Sequence, residues 1–354
     1  MRCPFWLSLS QDTDAPASAW DTPMIRPLAI VLLLLTGAMT STAWATDVPS
    51  PPPPEQAAPA APAPAPVPAP ITPLPRVDAV FADDGVTLTD GGKSVLFYRT
   101  AAADPREPGR LNYVHPIWAP DGTVLTEDRP ADHLHQRGAF WSWHQVLVDG
   151  KNVADGWFMK GLTFHVREKR FKGDTAGGGT LVVNADWIVN SAPEVNYVAR
   201  ETTKVRVYPL KDGARRIDFD TVITARSDTL ALGGSDDEKG YGGFSVRLVR
   251  PDRLAFGSGG KTIAPAVGPV EAGKAMGFAW APGAGAPAWT VGLACKANGA
   301  PITRWILRKE LSMQNCVFPG RAPFILKKGE TLRLQSTLIL RPATPPKPAA
   351  AKKG

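Results

Sequence analysis

The chain has 354 residues, of which 44% are hydrophobic and 21% charged, ordinary globular proportions that exclude a wholly disordered protein. A net charge of +7 raises nucleic acid as a partner, but the basic residues are spread along the chain, with no basic helix and no aromatic RNA-binding signature. Charge alone supports no more than a general attraction to acidic polymers or anionic surfaces. No phosphate-binding glycine loop, Gly-x-Ser-x-Gly elbow or dinucleotide fingerprint is present, which sets aside ATP chemistry, serine hydrolysis and Rossmann-type redox.

Residues 1–23 carry acidic and polar side chains and read as an upstream extension. Residues 24–45 follow secretory grammar: Met24-Ile25-Arg26 is a short basic start, residues 27–35 are an apolar run, and Ala43-Trp44-Ala45 supplies small residues before a cut after Ala45. The run is shorter than the roughly 20 apolar residues of a membrane span. The expectation is a periplasmic or secreted protein with no transmembrane span after cleavage, a retained anchor being the alternative. Residues 46–75, rich in Pro and Ala, cannot build a core and favour an extended, stiff spacer, and residues 342–354 read the same way. Removal of Cys3 with the leader leaves Cys295 and Cys316, either a disulfide or two buried thiols. A bridge between them closes a loop of about 20 residues and is worth about 3 kcal/mol.

Over residues 76–341 the pattern changes to short alternating apolar runs. Asp-Gly recurs at 84–85, 90–91, 121–122, 149–150, 155–156 and 212–213, which favours tight hairpins over helices. Residues 95–98, 180–188, 204–207, 217–223, 244–249, 289–293, 302–307 and 331–340 read as strands. The expected fold is all-β, an antiparallel β-sandwich or large open barrel with little helix.

All five histidines fall between positions 115 and 165. The densest stretch is Asp132-His133-Leu134-His135-Gln136-Arg137-Gly138, followed by Phe140-Trp141-Ser142-Trp143. As a strand, its two-residue period puts His133, His135 and Arg137 on one face. His-x-His is a metal-ligand spacing, so a divalent metal on His133 and His135 is one reading, with His115, Glu201 or His144 as third ligand. A metal-free polar pocket that hydrogen-bonds a ligand's hydroxyls is the second, and purely structural histidines are the third. Arg110 and His115 join the same pocket if their strand pairs across the Ala119-Pro120-Asp121-Gly122 turn.

The succession of Arg110-Leu111-Asn112-Tyr113-Val114-His115-Pro116, the Pro-x-Gly turn, Asp132-His133-Leu134-His135 with Arg137-Gly138, and the aromatic strand resembles a bacterial family, DUF6807, often labelled "methane oxygenase PmoA". Glu238-Lys239-Gly240-Tyr241-Gly242-Gly243-Phe244 with Arg247 is similar to the family's Gly-rich turn into an Arg-bearing strand. The resemblance covers roughly residues 95–340. One departure is Gln136, where members carry a second, adjacent histidine. The oxygenase label conflicts with the lack of any stretch of about 20 apolar residues after the leader.

What the resemblance implies is a galactose-mutarotase-like supersandwich whose concave face binds sugars. Sugar chemistry of that kind needs an acid and a base with pKa values near the working pH. His133 and His135 suit this role, with Glu201 or Glu238 as the carboxylate partner. Arg137 and Arg247 suit a ligand carboxylate such as a uronate, and Trp141 or Trp143 suits stacking on a sugar face. Residues 312–321 resemble the turn before the last strand of sugar-epimerase sandwiches and receive no catalytic role. The leading expectation is a carbohydrate-active isomerase, lyase or hydrolase acting on a small-molecule or oligosaccharide ligand. A non-catalytic glycan-binding module and a metal-dependent enzyme of unknown substrate are the alternatives.

Overall fold

The computed structural model describes residues 76–191, 194–281, 289–310 and 312–343. The extension, leader and spacer expected over residues 1–75 lie outside these residues, as does most of the expected tail. The last strand, Thr331–Pro342, takes in the first residue of that tail. Among the described residues there is no helix, and so none long and apolar enough to cross a membrane.

Strict alternation builds several long strands, whereas Ala139–Trp143, Gly242–Arg247 and Met313–Cys316 are buried on both faces. Arg215–Ala225 buries every second residue, including Ile217, Phe219, Thr221 and Ile223, as the pleat requires. Its neighbour Glu194–Val207 holds the same phase from Ala199 onward, so that Glu201, Thr203, Val205 and Val207 all turn inward. Asp149-Gly150 (φ 48° and 79°) and Asp212-Gly213 (φ 51° and 73°) form the left-handed pairs that two-residue hairpins demand. Asp155-Gly156 instead opens a wider loop, closed by reciprocal backbone hydrogen bonds between Asp155 and Lys160.

Three antiparallel sheets result. The nine-stranded sheet runs, in spatial order, Val77–Phe81, Gly85–Asp90, Lys93–Arg99, Tyr113–Ile117, Ala139–Trp143, Gly242–Arg247, Met313–Cys316, Arg304–Leu307 and Val270–Glu271. The ten-stranded sheet runs Lys261–Ile263, Arg253–Ser258, Ala275–Ala281, Trp289–Ala297, Thr331–Pro342, Arg215–Ala225, Glu194–Val207, Gly179–Ser191 and Leu162–Gly173, with Ala300–Pro301 paired to Trp289–Ala297. A four-stranded sheet, Phe324–Lys327, Thr229–Gly233, Gln145–Val148 and Lys151–Ala154, adds Leu230, Leu232, Val146 and Leu326 to the same core.

The two large sheets pack face to face. Ring centroids of Phe219 and Phe244 lie 5.1 Å apart across the interface, and those of Trp143 and Trp187 lie 6.0 Å apart. Each such side chain contributes about 1.5–3 kcal/mol by leaving water. Cys295 and Cys316, from opposite sheets and 21 residues apart in sequence, are disulfide-bonded, which adds about 3 kcal/mol.

The far face of the nine-stranded sheet carries a second, smaller core. Phe140 and Tyr113 point away from the sandwich, where they meet Trp157, Met313 and the half-buried Tyr241. Two loops lie over this face, residues 127–137 and 155–160, and they hold the functional candidates.

Candidate functional site

The histidine segment is not a strand. Two successive turns run through it, with His133 N–H donating to the Pro130 carbonyl at 3.0 Å and Gln136 N–H to the His133 carbonyl at 2.9 Å. Regular pairing starts only at Ala139, because Gly138 at φ 33° breaks the extended backbone just before it. A side chain there is excluded, since a Cβ on Gly138 would lie 2.0 Å from the Val114 carbonyl oxygen. The expectation of a shared strand face for His133, His135 and Arg137 is therefore corrected, although the His133 and His135 rings still meet, 5.6 Å apart and edge to face.

Buried arginines pin this loop from beneath. Arg247 spans Glu127 Oε2 at 3.1 Å, Gln136 Oε1 at 2.8 Å and Asp132 Oδ1 at 2.9 Å. Its guanidinium is thus committed to the loop, and Gln136 supplies one of its acceptors. Arg110 donates to Glu107 and Asp128 at 2.7 Å each, and to the Leu134 carbonyl. Asp128 also accepts from Tyr113 at 2.8 Å.

Arg137 differs from both. It is 2% exposed, has no carboxylate within ion-pair distance among the described residues, and donates only to the carbonyls of His135 (3.2 Å), Trp157 (3.4 Å) and Gly156 (3.3 Å). Its Nε has no partner, and its guanidinium lies 4.6 Å over the Phe140 ring. Burial pushes its pKa down to about 10, and the charge of Arg110 adds to the shift.

Above these arginines the imidazoles and aromatic rings form a continuous chain. His135 packs edge-on to Phe158 at 4.6 Å, Phe158 meets His144 at 5.1 Å, and His144 stacks on Trp157 at 5.2 Å and 22°. Trp157 then touches Tyr241 at 5.2 Å, whose hydroxyl accepts from Arg308 Nε at 2.9 Å. Phe158 is 42% exposed, so the row meets solvent at its middle. Burial, with the charges of His133, Arg137 and His144, pushes the His135 pKa down to about 4. His135 is therefore a neutral imidazole near neutral pH.

His144 is held by a carboxylate. Its Nδ1 lies 3.0 Å from Asp155 Oδ2, while Asp155 Oδ1 accepts the Phe158 N–H at 2.9 Å. A carboxylate at Nδ1 fixes the proton on that nitrogen, leaving the Nε2 lone pair as the basic atom of the neutral ring. The 155–160 loop thus positions Asp155, Trp157 and Phe158 together.

The other expected site residues fall elsewhere. His115 is part-buried beside Gly138 with Nδ1 3.0 Å from Thr126 Oγ1, and burial lowers its pKa. Trp143 is core, its indole donating to the Phe318 carbonyl at 2.9 Å, and Trp141 is core as well. Glu238 is exposed on the turn after Thr229–Gly233.

Glu201 is sealed between the sheets, on the opposite side of the Ala139–Trp143 strand from Phe140. Its Oε1 accepts from Asn112 (2.9 Å), Trp141 (3.1 Å) and Thr203 (2.7 Å), and its Oε2 from Trp187 (2.8 Å). Burial raises its pKa against the pull of these donors. For a metal, no group of three or more His, Cys, Asp or Glu side chains is gathered among the described residues, and His115, Glu201 and His144 do not complete a set with His133 and His135.

Sequence reasoning passed over the Asp155–His144 pair, Trp157, Phe158 and Arg308. The available signal was Asp155-Gly156-Trp157-Phe158, read only as a hairpin turn although two aromatics follow it directly.

Fold and site together define an all-β sandwich with a histidine and aromatic site on the outer face of one sheet. A family model described as a family of unknown function, DUF6807, matches residues 85–353, and the chain belongs to that family. No curated protein matches the chain.

Proposed function

We propose that this is an exported carbohydrate-active protein in which His144 serves as base and the neutral His135 as a hydrogen-bonding partner for a sugar lying against Phe158. The observation that carries this reading is the pair of imidazoles on one half-exposed ring, one held neutral by burial and the other oriented by Asp155. An exposed aromatic face suits the apolar side of a pyranose, an imidazole oriented by a carboxylate suits a base, and a neutral imidazole beside it suits a hydrogen bond to a sugar hydroxyl.

Proton abstraction, as in epimerisation or elimination, fits this set better than hydrolysis. Glycoside hydrolysis calls for two carboxyl groups flanking the bond, about 5–10 Å apart. Here Asp132 is bound to Arg247 and Asp155 to His144, while Glu201 is enclosed in the core. That same shortage of free carboxylates favours the second reading, a glycan-binding module without turnover. Export is supported by the buried Cys295–Cys316 bond, since disulfides persist in oxidising compartments.

The test is incubation of the purified protein in deuterated buffer with a panel of sugars, uronates and oligosaccharides, followed for deuterium uptake at ring carbons and for unsaturated products. Turnover that falls by about 10²–10⁴ in His144→Ala, and falls too in His135→Ala, is the expected result. Binding without turnover, unchanged in His135→Ala, selects the glycan-binding module, and neither binding nor turnover ends the carbohydrate reading.

A further inference from the structure

On the opposite side of the molecule, the outer face of the ten-stranded sheet carries three guanidinium groups gathered on one carboxylate. Arg167 Nη1 lies 3.2 Å from Asp186 Oδ2, and Arg200 Nε and Arg226 Nη1 each lie 3.5 Å from Asp186 Oδ1. The register explains the gathering. Arg200 is the direct cross-strand partner of Asp186, which in turn faces His165 on the next strand. Arg167 reaches in from the neighbouring strand Leu162–Gly173, and Arg226 from just past the end of Arg215–Ala225.

The charges do not cancel. Three cations share one anion, and among the described residues none of the three arginines has another carboxylate partner. Two other pairs on this sheet are one to one and bidentate: Arg333 clamps Asp220 with two 2.7 Å bonds, and Arg216 clamps Asp218 at 2.9 and 2.8 Å. Asp186 is only 4% exposed, whereas the arginine side chains around it are 48%, 50% and 42% exposed. The anion is thus at the floor and the cations stand around it, open to solvent.

Each guanidinium has five N–H donors. Arg200 directs only Nε at Asp186, which leaves both of its terminal nitrogens, and Arg167 and Arg226 each direct a single Nη. The spare donors belong to three half-exposed side chains gathered around one carboxylate, and the group carries two uncompensated charges, which suits a tetrahedral or trigonal oxyanion.

We infer that Arg167, Arg200 and Arg226 form a binding site for a doubly charged oxyanion, a phosphate or sulfate group, either free or carried on an acidic polysaccharide. The site is independent of the histidine cluster, which lies on the other sheet. Such a site converts a diffuse net positive charge into a specific foothold on an anionic matrix.

The test is calorimetric titration of the full chain with sodium sulfate, sodium phosphate and sulfated dextran, in low chloride. Saturable binding is expected, weakened at least tenfold by Arg200→Gln and by the Arg167→Gln/Arg226→Gln double variant, and unaffected by Arg333→Gln. Asp186→Asn removes the competing carboxylate, and binding should then tighten. Response to sulfated dextran alone assigns the group to a polymer, and response to the inorganic ions assigns it to the free anion. Absence of saturable binding to all three, or an equal loss in Arg200→Gln and Arg333→Gln, overturns the assignment, the latter by showing that only overall charge matters. Thermal melts of each variant confirm that the loss is measured on folded protein.

Discussion

Replacing Glu201 with Ala removes the acceptor that joins the two large sheets. Four donors lose their partner, and of these only Thr203 retains another, the Thr221 hydroxyl at 3.0 Å. Two indole N–H groups and the Asn112 amide are then left facing an apolar cavity, at about 1–3 kcal/mol each. Relief from burying a carboxylate offsets part of this, and the net expected loss is about 3–5 kcal/mol, the range for breaking one partner out of a buried polar network. Urea denaturation followed by tryptophan fluorescence measures it, with Trp141 and Trp187 as reporters inside the network.

The pH dependence supplies an independent check. The folded-state pKa of Glu201 is raised, so the native state holds its proton more tightly than the unfolded chain does. Its contribution is fully present below the unfolded value of about 4.3 and is lost as pH rises through the folded value. Glu201→Gln has no such group. Wild type should therefore gain stability relative to Glu201→Gln as the pH is lowered toward about 4. A Glu201→Ala protein within about 1 kcal/mol of wild type, or a gap to Glu201→Gln that does not change with pH, would refute the reasoning.

Three further residues carry expected outcomes. With its pKa pushed down to about 4, His135 should show ring resonances that do not titrate above roughly pH 5.5, and a midpoint near 6.5 by NMR would contradict its burial. The depressed value also means that the unfolded chain binds the proton more readily, so His135 should favour folding above the unfolded value near 6.5 and lose that contribution as pH falls through 4. Gly138→Ala should destabilise the protein by about 2 kcal/mol or more in thermal or urea melts, because φ is 33° and the new methyl meets the Val114 carbonyl oxygen and the His115 Cβ. Arg247→Gln should speed amide exchange across residues 127–137 while leaving the sandwich strands unchanged, since Arg247 ties Glu127, Asp132 and Gln136 together. Uniform acceleration across the fold would show that the arginine serves the core and not the loop.

The all-β class was legible because alternation is local: 217–223 and 331–340 state their faces residue by residue, and Asp149-Gly150 and Asp212-Gly213 state their turns. Phase also held information about Glu201 that its charge obscured. It shares parity with Ala199, Thr203, Val205 and Val207, all buried, so its position in the core follows from period two, whereas its carboxylate suggested solvent.

The histidine segment misled for the reverse reason. Its spacing was compatible with a strand, but Pro130, Asp132 and Gly138 are turn formers, and the pull of Arg247 on Asp132 and Gln136 stabilises turns in a way that depends on residues more than 100 positions away. The site itself was half visible. His133 and His135 meet as their spacing suggested, whereas the Asp155–His144 pair and the Phe158 and Trp157 rings come from a separate loop whose approach only the tertiary fold determines.

The central claim is that a glycan sits on Phe158 between His135 and His144. It is tested most directly by recording histidine ring resonances of the full protein while mono- and oligosaccharides and uronates are added. Saturable shifts at His135 and His144, with His165 on the other sheet unmoved, are the result this account predicts. If no sugar moves those two rings, or if His165 shifts equally with them, the glycan site as described here does not exist.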